Sequence, residues 1–210
     1  KYEFSCKTMP KLTLSMDVSN FAVACPAQDV MLYDGTLLTS KAGMVQVFRW
    51  NPTKLKANKI GKTLFGKHPK EEFGQGISMS AHGNVVAIAS GSMNRRDDKR
   101  NSHQEQEGRG DGWSSNNITV YQYTITSTTT AQETNWQPLG QVLHNTTKGI
   151  MSNDGTLLAT IQLDKSVHVY SYNPTSEQWH EEHIETGLSI QRGRNSNHQR
   201  VRTLSAVSYT

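Results

Sequence analysis

The chain has only two cysteines, Cys6 and Cys25, in 210 residues. Two do not make a disulfide framework, and a metal site built on them would need more ligands nearby. They form one bridge if the first segment pairs beside the strand holding Cys25; otherwise they are two buried free thiols. Hydrophobic residues are scarce at 34%, aromatics at 8%, and the mean hydropathy is -0.63. That is lean for a compact α/β enzyme and suits a sheet protein with one polar face and long wet loops. No apolar run approaches the ~20 residues of a membrane-spanning helix. No signal peptide is visible, although one already removed would leave no trace. The chain starts at Lys1 rather than Met, as a processed product or a part of something longer does. There is also no Gly-x-Ser-x-Gly elbow and no phosphate-binding glycine loop.

Charge is present but thinly spread. The formal net charge is +4 and the pI about 9.0. Lys54, Lys56, Lys59 and Lys62 form one patch, Arg95, Arg96, Lys99 and Arg100 a second, and Arg192, Arg194, Arg200 and Arg202 a third. A nucleic-acid binder concentrates such charge on one face. Here Asp97 and Asp98 interrupt the second patch, so the patches read as solvated loops and nucleic acid is not the expected partner.

What the chain does have is a repeat. Leu12–Ser15, five residues, then Phe21–Pro26 aligns without a gap on Ile77–Ser80, five residues, then Val86–Gly91. A third copy is Gly149–Ser152, the turn Asn153-Asp154-Gly155, and Leu157–Ile161. Each reads as strand, tight turn, strand, with Gly83 or Gly155 supplying the positive φ a hairpin turn needs. In the first copy Asn20 is expected to take that left-handed role. A third strand with strict alternation follows each pair: Met44–Trp50, Ile118–Tyr123 and Val167–Tyr172. A fourth element closes each unit, Ile60-Gly61 paralleling Leu139-Gly140 and Trp136 paralleling Trp179. Short β-rich units of this kind must stack to bury their faces. The expected fold is therefore all-β and β-propeller-like: one domain over 1–210 built of four-stranded antiparallel blades, with units at about 12–66, 73–143 and 146–185. The termini, 1–9 and 187–210, are candidates for a further blade. Asp34–Leu38 also resembles Asp154–Leu158, so the first unit has an alternative start there.

Phe73-Gly74, Ile77–Ser80, Gly83 and Val86–Ala89 together resemble the FG-GAP type of propeller repeat found in integrin α-subunit heads. Ala24-Cys25-Pro26 looks like a degraded form of that repeat's ending. The resemblance covers about residues 12–185 and implies a propeller fold. The calcium-binding version of the repeat carries an Asp-x-Asp-x-Asp-Gly ladder, absent here. Asp97, Asp98 and Asp111 lack the spacing that would give Ca²⁺ its oxygens. Neither metal nor cofactor is expected.

Among eight histidines only His180 and His183 are close, and i, i+3 on a strand points to opposite faces. His168 lies on the face opposite Val167 and Val169, a packing or solvent-facing place. Glu71-Glu72 and Glu181-Glu182 are neighbours that a strand sends apart. The insert 92–116 is polar and carries Arg95, Arg96, Arg109, Asp111 and Trp113, the candidate partner-binding residues. Asn117 and Asn145 head glycosylation sequons, Asn117 awkwardly at a strand start. No catalytic residue stands out. The expectation is a non-catalytic protein-binding or structural module rather than an enzyme. It would be a subunit of a larger extracellular or lumenal assembly, secreted and glycosylated. The rival is a carbohydrate-binding or carbohydrate-processing propeller, with Trp50, Trp113, Trp136 and Trp179 as candidate stacking platforms.

Overall fold

The computed structural model describes residues 6–31, 37–91, 116–127 and 132–182. The insert residues Arg95, Arg96, Arg109, Asp111 and Trp113 lie outside the described residues, as do the terminal stretches 1–5 and 183–210. The described chain is all-β, without a helix, and forms antiparallel sheets. The first sheet runs β1 (Lys11–Leu14), β2 (Asn20–Cys25), β5 (Met44–Asn51), β6 (Lys56–Lys59), with β7 (Leu64–Phe65) also on β5. The second runs β8 (Gly76–Met79), β9 (Val85–Ser90), β10 (Asn117–Ser127), β11 (Gln132–Pro138), with β12 (Leu143–His144) on β10. The third is β13 (Thr146–Met151), β14 (Leu157–Gln162), β15 (Val167–Asn173), β16 (Gln178–Glu182). A small hairpin, β3 (Val30–Met31) with β4 (Leu37–Thr39), is inserted between β2 and β5. Because β2 pairs directly with β5, Ala22 against Val47, the first sheet starts at β1 and not at Asp34.

Alternation along the strands gives each sheet two faces, and these make two joints. The first sheet contributes Ala22, Ala24, Val45 and Val47 to one joint, and the second answers with Met79, Val86, Ile88 and Trp136. The second sheet's other face supplies Val85, Ala87, Ala89, Ile118 and Val120, answered by Met151, Leu158 and Trp179 of the third. Small residues on one side leave room for the large rings on the other.

A tryptophan fastens each joint. Trp136 Nε1 donates to the Ile60 carbonyl at 3.0 Å, and Trp179 Nε1 donates to the Leu139 carbonyl at 2.8 Å. The residue after each acceptor is glycine for a steric reason. A Cβ on Gly61 would lie 2.6 Å from Trp136 Cδ1, and one on Gly140 the same distance from Trp179 Cδ1. Tyr123 and Tyr172 tilt against these rings at 5.3 Å. Both tryptophans are 2–3% exposed, so they hold sheets together and present no stacking surface. Trp50 is the exposed one, and Trp113 lies outside the described residues.

The three hairpin turns are built alike and step alongside one another. Met16 N–H donates to the Ala81 carbonyl at 2.9 Å, and Ala81 N–H to the Asn153 carbonyl at 2.7 Å. In the first turn Asp17 accepts from Ser15 Oγ, Ser19 N–H and Ser19 Oγ, and in the third Asp154 accepts from Ser152 Oγ, Thr156 N–H and Thr156 Oγ1. The left-handed position is Gly83 in the second turn and Gly155 in the third. In the first it is Val18, at φ 57°, not Asn20 as the sequence suggested. Asn20 is held in the strand instead, its amide donating to the His82 carbonyl and its Oδ1 accepting from Arg49. The Asp17 cage thus imposes on a β-branched residue a conformation it disfavours.

Candidate functional site

Where the second and third sheets meet at the end carrying the β14–β15 turn, an open cleft of about 460 Å³ is lined by His144, Asn145, Gln162, Asp164, His168, Tyr170 and Glu181, with Leu163 alongside. Four pieces of chain converge there. β12 ends in His144, and Asn145 turns the chain into β13 with a positive φ of 62°. The β14–β15 turn supplies Asp164; it is tied to the β12 side by Leu163 N–H donating to the Asn145 carbonyl at 2.8 Å. His168 and Tyr170 point the same way from β15, two residues apart. Glu181 comes from β16, whose register sets it directly opposite Tyr170.

The polar groups form a connected line. His168 Nδ1 lies 2.5 Å from Glu181 Oε1, and His168 Nε2 lies 2.7 Å from Ser166 Oγ. Ser166 Oγ in turn donates to Asp164 Oδ1 at 2.6 Å. All three contacts run donor to acceptor when both ring nitrogens of His168 carry protons. Gln162 Nε2 donates to the Tyr170 hydroxyl at 3.2 Å, and the His168 and Tyr170 rings lie nearly parallel, 17° apart at 6.5 Å. Hydrogen bonds from the Ser166 hydroxyl and then its N–H, with the His168 charge further off, hold the Asp164 carboxyl below its ordinary range. Partial burial, and then the nearby Glu181 charge, push the Tyr170 phenol up. Asp164 is therefore a fixed anion and Tyr170 a neutral donor and acceptor across the physiological range. Among the described residues no group of three or more His, Cys, Asp or Glu is placed to hold a metal ion, and no helix is long and apolar enough to cross a membrane.

Several residues singled out in the sequence have a definite place. Cys6 and Cys25 are bonded to each other. Asn145 heads a sequon and also lines the cleft, so a glycan on it would occupy that space. Asn117 opens β10, and its Oδ1 sits 3.0 Å from His144 Nδ1. His180 faces outward on β16 with Nε2 2.9 Å from Ser176 Oγ, away from the cleft. The pairing of His168 with Glu181 escaped the sequence reading because only the β15–β16 register creates it.

No protein-family model matches the chain, and no curated protein matches it in sequence. Among solved structures, the chain is similar to one described as a "putative 6-phosphogluconolactonase" from Bacteroides uniformis, at 13% identity and a TM-score of 0.44. That match covers 83% of this chain and 39% of the other, so the chain spans well under half the length of the structure it matches. The solved structure is named as an enzyme, against the expectation of a non-catalytic protein-binding or structural module without enzymatic activity. That expectation is withdrawn. It had rested on the repeat, the apparently incomplete ring and the lack of a catalytic constellation in the sequence.

Proposed function

We propose that the chain is a carbohydrate-binding or carbohydrate-processing protein of propeller-like build, with the His168–Glu181 cleft as its sugar site. The observation that supports this is the lining of the cleft. A sugar presents many hydroxyls that both donate and accept, and it needs a dense set of fixed partners around a flat ring. Asp164 and Glu181 are acceptors, Asn145 and Gln162 offer both roles, and the near-parallel rings of His168 and Tyr170 line the same cleft. The volume lies within the range of small-molecule sites. The buried tryptophans take no part.

Processing is favoured by one specific arrangement: an imidazole between a carboxylate and a hydroxyl, at distances suited to proton transfer. His168 would exchange a proton with a sugar hydroxyl or leaving oxygen by way of the Ser166 hydroxyl at its Nε2, while Glu181 holds the ring at Nδ1. The FG-GAP resemblance enters this reading as a proposal about fold only. Calorimetric titration with a panel of neutral and acidic sugars tests the binding. At least one is expected to bind, with affinity reduced about tenfold or more in Glu181→Gln and Asp164→Asn, since each removes a charge-assisted hydrogen bond. No binding across the panel, or binding indifferent to both substitutions, sinks the proposal. Turnover of a bound sugar or sugar ester that is lost in His168→Ala separates processing from binding alone.

A further inference from the structure

A short connection leaves room for the cleft. In the first joint the stretch 66–75 runs between β7 and β8. It lays Phe73 edge-on against Tyr121 of the second sheet, with ring centroids 6.2 Å apart. Burial there, with the Glu71 charge adding to it, pushes the Tyr121 phenol up to about 12. Tyr170 holds the same place on the third sheet, opposing Leu158 as Tyr121 opposes Val86. Between β12 and β13, however, only Asn145 intervenes. That connection supplies no counterpart of Phe73, and Tyr170 lines the open cleft.

The same place in the chain brings a histidine to the cleft. β12 pairs with β10 as β7 pairs with β5, and His144 opposes Asn117 where Phe65 opposes Met44. His144 Nδ1 lies 3.0 Å from Asn117 Oδ1. An amide oxygen only accepts, so the proton of this contact sits on Nδ1, and the neutral ring keeps a bare lone pair on Nε2. Among the described residues His144 Nε2 has no hydrogen-bond partner. The other histidine of the cleft differs. Both ring nitrogens of His168 are engaged, Nδ1 by Glu181 and Nε2 by Ser166. His168 therefore reaches a ligand by way of Ser166, whereas His144 offers a nitrogen directly.

We propose that His144 is a direct ligand contact of the cleft, its Nε2 accepting a hydrogen bond from a ligand hydroxyl, and that Asn117 is the positioning residue that fixes the ring tautomer for this role. The inference rests on the reading of the cleft as a sugar site and adds a group that touches the sugar. A bare imidazole nitrogen requires a donor, as do the Asp164 and Glu181 carboxylates that line the same cleft. Acceptors brought by β12, the β14–β15 turn and β16 suit a ligand that carries several hydroxyls on one ring.

Two measurements test this. The first needs no ligand. Nitrogen NMR of the histidine-labelled chain, at a pH where the ring is neutral, is expected to show His144 protonated at Nδ1 and bare at Nε2. Its signals are assigned by their loss in His144→Phe. Asn117→Ala is expected to lose that tautomer, and Asn117→Asp, which keeps an acceptor oxygen, to restore it. An Asn117 that served only the strand would leave the tautomer unchanged in all three. The second is calorimetric titration with the panel of neutral and acidic sugars. For a sugar that binds, His144→Phe is expected to weaken affinity about fivefold to tenfold, the worth of one hydrogen bond. The first sheet carries Phe65 at the equivalent place, so circular dichroism should show this variant folded. A neutral His144 ring protonated at Nε2 overturns the proposal. Sugar binding that falls in Glu181→Gln but not in His144→Phe also overturns it, and leaves the sugar site standing. No binding across the panel removes the sugar site and this contact with it.

Discussion

β9 and β14 occupy the same place in successive sheets and are similarly apolar, Val-Val-Ala-Ile-Ala-Ser against Leu-Leu-Ala-Thr-Ile-Gln. Every residue of β9 is buried. In β14 only Leu158 and Thr160 are, and Leu157 and Ile161 stand exposed on the other face. The difference lies in the neighbours: β9 has a sheet on both sides, β14 on one among the described residues. Equal hydrophobicity therefore contributes unequal stability, because area counts only where something covers it.

The largest effect is expected where coverage is complete. Trp136→Ala empties the first joint and removes the hydrogen bond to Ile60, so it should cost about 3–5 kcal/mol in urea unfolding. A cost below about 1 kcal/mol would mean that the joint does not depend on its ring. The turns sharpen the comparison by a smaller amount. Gly83 and Gly155 fit the left-handed position and Val18 does not, so Val18→Gly should raise stability by about 0.5–1 kcal/mol. The same turns differ in acid. Hydrogen bonds from Ser15 and Ser19 lower the Asp17 carboxyl to about 2 from its ordinary 3.8, and Ser152 and Thr156 lower Asp154. A depressed carboxyl stabilises the fold above its unfolded value and loses that contribution as pH falls through the folded one. Melting temperature should therefore drop between about pH 4 and 2, and Asp17→Asn should flatten part of the drop. The second turn, with Asn84 in place of a carboxylate partner for Ser80, adds nothing to that limb. The smallest effect belongs to the face of β14 that stands exposed among the described residues. Ile161→Ala should change the stability of the chain, measured dilute, by less than about 0.5 kcal/mol. A cost like that of a buried isoleucine would show the face to be covered within one chain.

Much of the strand order was legible. The 12–26, 77–91 and 149–161 segments aligned by spacing alone, and β1–β2, β8–β9 and β13–β14 lie there. The alternation of Val47, Val120 and Val169 correctly marked the third strands, because side chains on a strand obey a period of two. The parallel of Ile60-Gly61 with Leu139-Gly140 was visible, but not its reason. The glycine makes room for a tryptophan some 75 residues further along, at Trp136. The first turn was misread because Asn is the usual left-handed residue, whereas here a side-chain cage forces Val18 into that conformation.

The candidate site was not legible. His168 was placed on the correct face, but its partner Glu181 lies 13 residues away across a strand pair, and a slip of one residue in that register would turn Glu182 toward it instead. Sequence by itself determined the period, the strand class and which side chains share a face, because these follow from local geometry. Tertiary structure alone decided which faces are covered, which carboxylate meets His168 and where the cleft opens, because those depend on register and stacking between segments far apart in the chain.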